Sequence, residues 1–298
     1  MAKMKLAILG VGLIGGSFGM AIKDKLKDDI YITGTTRTEV SCLTAEKIGA
    51  VDKCFLSNAE AVKDADIIYL STPVLQMVPI VKQIRPYLKN GAVITDAGST
   101  KQYLANALRK ILPDSVHYVS AHPMAGREKS GVSAASKDLF KNKCYVIIKD
   151  PAMPVSEDAV EKICALIKMT GANITELDLA SHDRCASLIS HVPHITAAAL
   201  VSLLNRNYND LDECIKLAGG GFKDTTRIAS SNADMWADIC LSNSAAIVNN
   251  LQILQEILSE VTGAIESKDR EKLYDYFTVA KEMRDKILNE TKSIYEIE

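Results

Sequence analysis

The chain has 298 residues, enough for two domains at the usual ~150 residues each. Hydrophobic residues make up 47% and charged residues 24%, with 16 Gly and 8 Pro, which excludes disordered and collagen-like classes. Lys plus Arg (35) nearly balance Asp plus Glu (37), and there are one Trp and five Phe, so neither bulk charge nor stacking platforms suggest a nucleic-acid partner. The seven cysteines (42, 54, 144, 164, 185, 214 and 240) are scattered, with no C-x-x-C pair. Neither a metal site nor a disulfide framework is expected, and free thiols point to a cytoplasmic location. Lys3, Lys5 and the apolar run from Leu6 to Gly16 imitate a signal peptide, but cleavage there would destroy the glycine motif described below. The apolar stretch Ile195 to Leu204 is too short to span a bilayer, so a soluble, unprocessed chain with no membrane partner is expected.

In chain order, Lys5–Leu9 reads as a strand ending in glycines, followed by helical character from Phe18 to Lys25. Ile30–Thr33 is a second strand and Glu39–Ile48 a helix; Ile67–Leu70 is a third strand and Val78–Tyr87 a helix. Ala92–Thr95, His117–Ser120 and Cys144–Ile148 read as further strands, with a helix over Gln102–Ile111. This alternation predicts an α/β Rossmann-like domain with a mostly parallel sheet covered on both faces. Prolines at 151 and 154 mark a linker, so the domains are drawn as 1–150 and 151–298. Ser156 is placed to cap a helix over 157–170, and Asn173–Leu177 is one last strand. Beyond Leu179 nearly everything has helical period. A mostly α-helical second domain follows, with apolar faces suited to closing a homodimer.

Gly10-Val-Gly12-Leu13-Ile14-Gly15 directly follows the first strand and opens a helix, the context in which G-x-G-x-x-G binds a dinucleotide. About 20 residues on, where an acid normally reads the ribose, stand Thr36, Arg37 and Thr38. Two hydroxyls and a guanidinium suit a 2′-phosphate, which favours NADP over NAD. Ser71, Thr72 and Pro73 follow the third strand and Asp96-Ala-Gly98-Ser99-Thr-Lys101 the fourth, where open α/β sheets place ligands. Ser99 also has the alternative of capping the next helix. His122, fixed between a strand end and Pro123, is placed as a general base, with a structural histidine as the alternative.

These motifs, with His122-Pro-Met-Ala-Gly126-Arg127-Glu128-Lys-Ser-Gly, Ser181-His182-Asp183-Arg184, Ser190-His191-Val-Pro-His194 and Gly219-Gly-Gly-Phe-Lys223-Asp224-Thr-Thr-Arg227, resemble the prephenate dehydrogenase family over almost the whole chain. The resemblance implies oxidative decarboxylation of prephenate to 4-hydroxyphenylpyruvate, in tyrosine biosynthesis, with hydride transfer to NAD(P). It implies His122 as base and Ser99 beside it. Arg227 is implied as the substrate-carboxylate anchor and His194 as a second pocket histidine. Lys223, Asp224 and Trp236 would line or gate the pocket, in some relatives from the partner subunit. Gly126, Arg127 and Glu128 would lie at the substrate mouth. Glu128 raises arogenate, an ammonium-bearing substrate, as the alternative, and a dimeric NAD(P)-sensing protein is the non-enzyme alternative. His182, Arg184 and His191 are expected to be internal hydrogen-bonding groups. The two domains use the whole chain, so any control by tyrosine is expected at the active site itself.

Overall fold

The computed structural model describes residues 3–126, 129–152, 154–206 and 211–295. Six strands, β1 (Met4–Leu9), β2 (Ile30–Thr35), β3 (Lys53–Phe55), β4 (Ile67–Leu70), β5 (Val93–Asp96) and β6 (His117–Val119), form one parallel sheet in the order β3-β2-β1-β4-β5-β6. This is the doubly wound order in which dinucleotides bind beside the first strand. Side chains alternate as a pleat requires. Leu6 and Ile8 join the core on one face, and Ala7 and Leu9 join the core on the other. The helices α1 (Leu13–Leu26), α2 (Glu39–Lys47), α3 (Asn58–Ala61), α4 (Val74–Ile84) and α5 (Gln102–Leu108) cover the faces.

Register aligns the strand ends. Leu9 pairs with both Thr35 and Leu70, and Leu70 pairs with Asp96. The loops that begin at Gly10, Thr36, Ser71 and Ala97 therefore leave the same edge. Strand β6 continues the row, since Thr95 pairs with Val119.

Two features differ from the sequence expectation. Cys144–Ile148 (β8) is not in the main sheet; it lies between β7 (Ala121–Pro123, antiparallel) and β9 (Asn173–Leu177, parallel). Helix α6 (Glu157–Met169), capped by Ser156, packs against α1 and beneath β9. Helix α6 and strand β9 thus pack with the nucleotide-binding half. Cysteines 42 and 54, expected free, form a disulfide pair between α2 and β3 with Cα atoms 5.1 Å apart. Tertiary contact, not a spacing motif, brings them together.

The second half is helical: α7 (Leu179–Ala186), a π-turn (Ser187–His191), α8 (Val192–Arg206), α9 (Leu211–Leu217), α10 (Gly220–Thr226), α11 (Ala233–Ser242), α12 (Ser244–Glu266) and α13 (Arg270–Tyr295). The stretch Ile195 to Leu204 lies within a longer helical run, Leu179–Arg206, which is long and apolar enough to cross a membrane by length and composition, an 18-residue window in it having a mean hydropathy of 1.5. Its inner face nevertheless buries His182, Asp183, Ser187, His191 and His194. Helices α12 and α13 leave large apolar side chains exposed, among them Leu258, Phe277, Val279 and Met283.

Candidate active site

The glycine loop is shaped by contacts that a side chain would break. Gly10 turns at φ +98°, and a Cβ on it would lie 2.7 Å from Thr72 Cγ2. A Cβ on Gly15 would lie 2.6 Å from the Gly10 carbonyl oxygen, so α1 packs on the strand end only because residue 15 lacks one. Ser71 holds the loop, its Oγ donating to the Gly10 carbonyl at 2.9 Å. Gly12 faces open space, and α1 starts there with no side-chain cap and no acidic residue in its first turn. Gly12, Leu13 and Ile14 thus present an uncapped helix N-terminus, which fits a pyrophosphate. Thr72 Oγ1 is buried with no hydrogen-bond partner, and exposed Pro73 is the N-cap residue of α4.

The loop after β2 departs from the expectation. Thr38 caps α2, accepting from the Ser41 amide at 3.2 Å and donating to Ser41 Oγ at 2.9 Å. The Thr36 hydroxyl is donated to the Thr38 carbonyl at 2.9 Å or to Cys42 Sγ at 3.1 Å. Neither hydroxyl is free to donate to a 2′-phosphate, because a helix N-terminus and a turn claim them first. Arg37 remains exposed at the same edge.

Asp96 and Lys101 are fully buried and paired. Asp96 also accepts from the Gly98 amide at 2.8 Å, the Tyr118 hydroxyl at 2.8 Å and the Ala121 amide at 3.3 Å. Lys101 Nζ also donates to the Ala121 carbonyl at 2.6 Å. The pair therefore fixes both the turn bearing Ser99 and the strand bearing His122. Among the described residues Ser99 makes no hydrogen bond and does not cap α5. The carboxylate of Asp183 does so instead, accepting from the Lys101 and Gln102 amides at 2.9 Å each.

His122 is buried in β7, and its Nδ1 lies 2.8 Å from His182 Nε2. His182 Nδ1 lies 2.8 Å from Asp183 Oδ1. Burial first, and then the cationic forms of His182, Lys101 and His191, hold the His122 imidazole well below the usual histidine range, so it is neutral at physiological pH. Burial pushes the Asp183 carboxyl up, but hydrogen bonds from His182 and the Gln102 and Lys101 amides outweigh it and keep the group ionised.

His191 and His194 lie at the π-turn and the start of α8. His194 stacks on Trp236 with ring centroids 3.5 Å apart, and His191 meets the same indole edge-on at 6.1 Å. The Trp236 Nε1 and His191 Nε2 atoms are buried without hydrogen-bond partners. Burial pushes His191 down to about 4 and lowers His194 as well.

Arg227 is exposed, and the short turn it opens packs against α8. Lys223 and Asp224 are also exposed, on α10, and among the described residues neither side chain bonds to the histidine cluster. Gly126 is exposed with open space beside it; Arg127 and Glu128 lie outside the described residues. A cleft of about 460 Å³ between β8 and α6 is lined by Tyr118 but not by His122, His194, Lys223, Asp224 or Arg227. Sequence reading missed what His182, Asp183, Tyr118 and Lys101 contribute. The Ser-His-Asp-Arg and Asp-x-Gly-Ser-x-Lys motifs carried the signal for all but Tyr118.

A family model described as prephenate dehydrogenase, nucleotide-binding domain, matches residues 18–176, and one described as prephenate dehydrogenase, dimerization domain, matches residues 178–279. The prephenate dehydrogenase of Bacillus subtilis is 37% identical over 288 residues, covering 96% of this chain and 77% of its own length. The crystal structure of prephenate dehydrogenase from A. aeolicus, in complex with hydroxyphenyl propionate and NAD+, superposes with a TM-score of 0.86 at 29% identity, covering 96% of this chain and 99% of that one. The arogenate dehydrogenase of Synechocystis superposes at 0.78 with 25% identity, covering 95% and 100%.

Proposed function

The chain belongs to the prephenate dehydrogenase family, and on that premise we propose that it converts prephenate to 4-hydroxyphenylpyruvate and CO2, with NADP as hydride acceptor. The observation that carries the reading is a neutral, buried His122 bonded through Nδ1, beside a turn whose Ser99 is uncommitted. Prephenate carries a hydroxyl at C4 and a quaternary carboxylate at C1. His122 Nε2 accepts the C4 hydroxyl proton as the C4 hydride departs. The nicotinamide, when bound, supplies the two-electron acceptor for that hydride. Loss of CO2 from C1 then leaves its electron pair to aromatise the ring as a phenolate, which takes the proton back from His122. The proton balance closes on one side chain.

Ser99 donates to the same substrate oxygen and orients it. Arg227, a planar fork on the turn against α8, pairs with a substrate carboxylate. His194 and Trp236 would form a second wall, with Lys223, Asp224 and Gly126 at the mouth. Gly10, Gly12 and Gly15, with Leu13 and Ile14, would hold the pyrophosphate, and Ser71, Thr72 and Pro73 line the same edge.

NADP rests on Arg37 and on the lack of a carboxylate between residues 36 and 38; the two threonines no longer support it. The description of the second family model and the exposed apolar side chains of α12 and α13 support a homodimer. Cytoplasmic location rests on the five free cysteines alone; the Cys42–Cys54 pair does not support it. The domain boundary is placed at Asp178, after β9.

One experiment tests the core of this: reduced-nicotinamide absorbance with prephenate or arogenate, each with NAD and NADP. Turnover of prephenate with NADP is expected. Turnover of arogenate alone would replace the substrate, a strong NAD preference would overturn the cofactor reading, and silence throughout would overturn the function.

A further inference from the structure

The His122 imidazole has one face of its chemistry fixed from outside its own domain. Its Nδ1 is 2.8 Å from His182 Nε2, and His182 Nδ1 is 2.8 Å from Asp183 Oδ1. Both helper residues belong to α7, 60 residues and one domain away. A carboxylate only accepts hydrogen bonds, so His182 must carry its proton on Nδ1 to bond Asp183. In the neutral ring its Nε2 is then an acceptor. To bond it, His122 must in turn carry its proton on Nδ1, which leaves Nε2 as the bare, basic nitrogen. Asp183 cannot easily reverse this order, because it is anchored by the Lys101 and Gln102 amides at 2.9 Å each. The Asp183 main-chain carbonyl is also held, by Asn243 Nδ2 at 2.8 Å. The charged and titratable groups around the two imidazoles are Lys101, Asp183 and His191; none offers His122 Nδ1 a competing acceptor.

We infer that His182 and Asp183 are positioning residues that select the Nδ1–H tautomer of His122 through a two-bond relay crossing the domain boundary. The inference deepens the reading of His122 as the base and rests on it for its catalytic consequence. The relay also explains why Asp183 caps α5, the helix that follows Ser99. One carboxylate sets the orientation of that helix and the protonation pattern of the base together. Undocking α7 would therefore disable the base without touching it.

The test uses the whole chain, which has five histidines, few enough to resolve by long-range 1H–15N correlation of histidine ring nitrogens. The His122 signals are assigned by their disappearance in His122→Asn. At neutral pH the wild-type protein is expected to show His122 as the Nδ1–H tautomer. In Asp183→Asn the amide can donate to His182 Nδ1 and reverse both rings. The expected results are a shift of His122 toward the Nε2–H form and a kcat loss on the order of 10²–10⁴-fold, as for an inverted triad histidine, with cofactor Kd unchanged. His182→Leu should lose comparable activity. His182→Gln offers an oxygen near the position of Nε2, so it should retain the Nδ1–H form and recover most of the kcat lost in the leucine variant. The proposal is overturned if wild-type His122 is the Nε2–H tautomer, or if Asp183→Asn and His182→Leu leave tautomer and kcat unchanged. A loss of kcat in His182→Leu with His122 still in the Nδ1–H form would also overturn it, since it would mark a merely structural role. The spectrum is recorded on the free enzyme, so it decides the relay even if the substrate assignment fails.

Discussion

Replacing Lys101 by Met is the sharpest test of how the two ends of the site are tied together. Lys101 has 0% exposure, and its ammonium makes two bonds, to Asp96 and to the Ala121 carbonyl. Met fills much of the same volume, so the substitution removes the charge with little cavity cost. It leaves the Asp96 carboxylate buried with only neutral donors, the Gly98 and Ala121 amides and the Tyr118 hydroxyl. Breaking a buried pair in this way costs about 3–5 kcal/mol, and the orphaned Ala121 carbonyl adds about 1–3 kcal/mol. Against a whole-protein stability of roughly 5–15 kcal/mol, the variant is marginal but measurable. The assay is urea unfolding followed by far-UV circular dichroism, with the midpoint falling and the slope unchanged. Adding Asp96→Asn should recover part of the loss, because an amide tolerates burial without a counter-charge. A loss below about 1 kcal/mol would refute the argument that this pair, rather than the apolar core alone, holds β7 against β5.

His122→Asn is expected to cut kcat by orders of magnitude while nucleotide affinity, measured by titration calorimetry, stays near normal; activity within a few-fold of wild type would remove His122 as base. Arg227→Ala should act mainly through the substrate, raising its KM with a smaller change in kcat, and an unchanged KM would refute the anchor. Lowering pH should destabilise the fold through His191, whose pKa falls from 6.5 when unfolded to about 4 when folded. The unfolded chain then binds the proton first, so stability is full above pH 6.5 and falls by about 3 kcal/mol on reaching pH 4. His191→Gln, compared with wild type by thermal melts across that range, should flatten the acid slope, and an unaltered slope would exclude the residue as its source.

The doubly wound half was readable because its signals are local. Each strand is a short apolar run, and the glycine loop sits where a strand meets a helix. Two prolines punctuate like a linker at 151 and 154, while the pairing of β9 with β8 is a crossover contact with no local trace. Thr36 and Thr38 were assigned to a ligand because a free hydroxyl and a capping hydroxyl look alike in sequence; the competition with α2's own amides is decided only by the fold. His182 was correctly expected to be an internal hydrogen-bonding residue. That its partner is His122, 60 positions away, depends on how α7 docks. Cysteines 42 and 54 meet for the same non-local reason.

The electrostatics of the cluster also separate what the resting site needs from what the reaction needs. At rest His122 must be neutral, and burial among His182, Lys101 and His191 achieves this. On the proposed mechanism, an imidazole held this low needs a group that answers the charge arriving on it, and Asp183 is placed to do so. Asp96 is paired with Lys101, whereas Asp183 lies one imidazole away and, among the described residues, pairs with no ammonium. On that mechanism, the positive charge that develops as a proton moves onto His122 Nε2 is drawn toward Asp183 through the His182 bond. No charged group has to reorient, because the amides at the start of α5 already fix that carboxylate in place. On this reading the acid that stabilises the imidazolium need not touch it: burial keeps the resting imidazole neutral, and Asp183, two bonds away, favours the proton in transit.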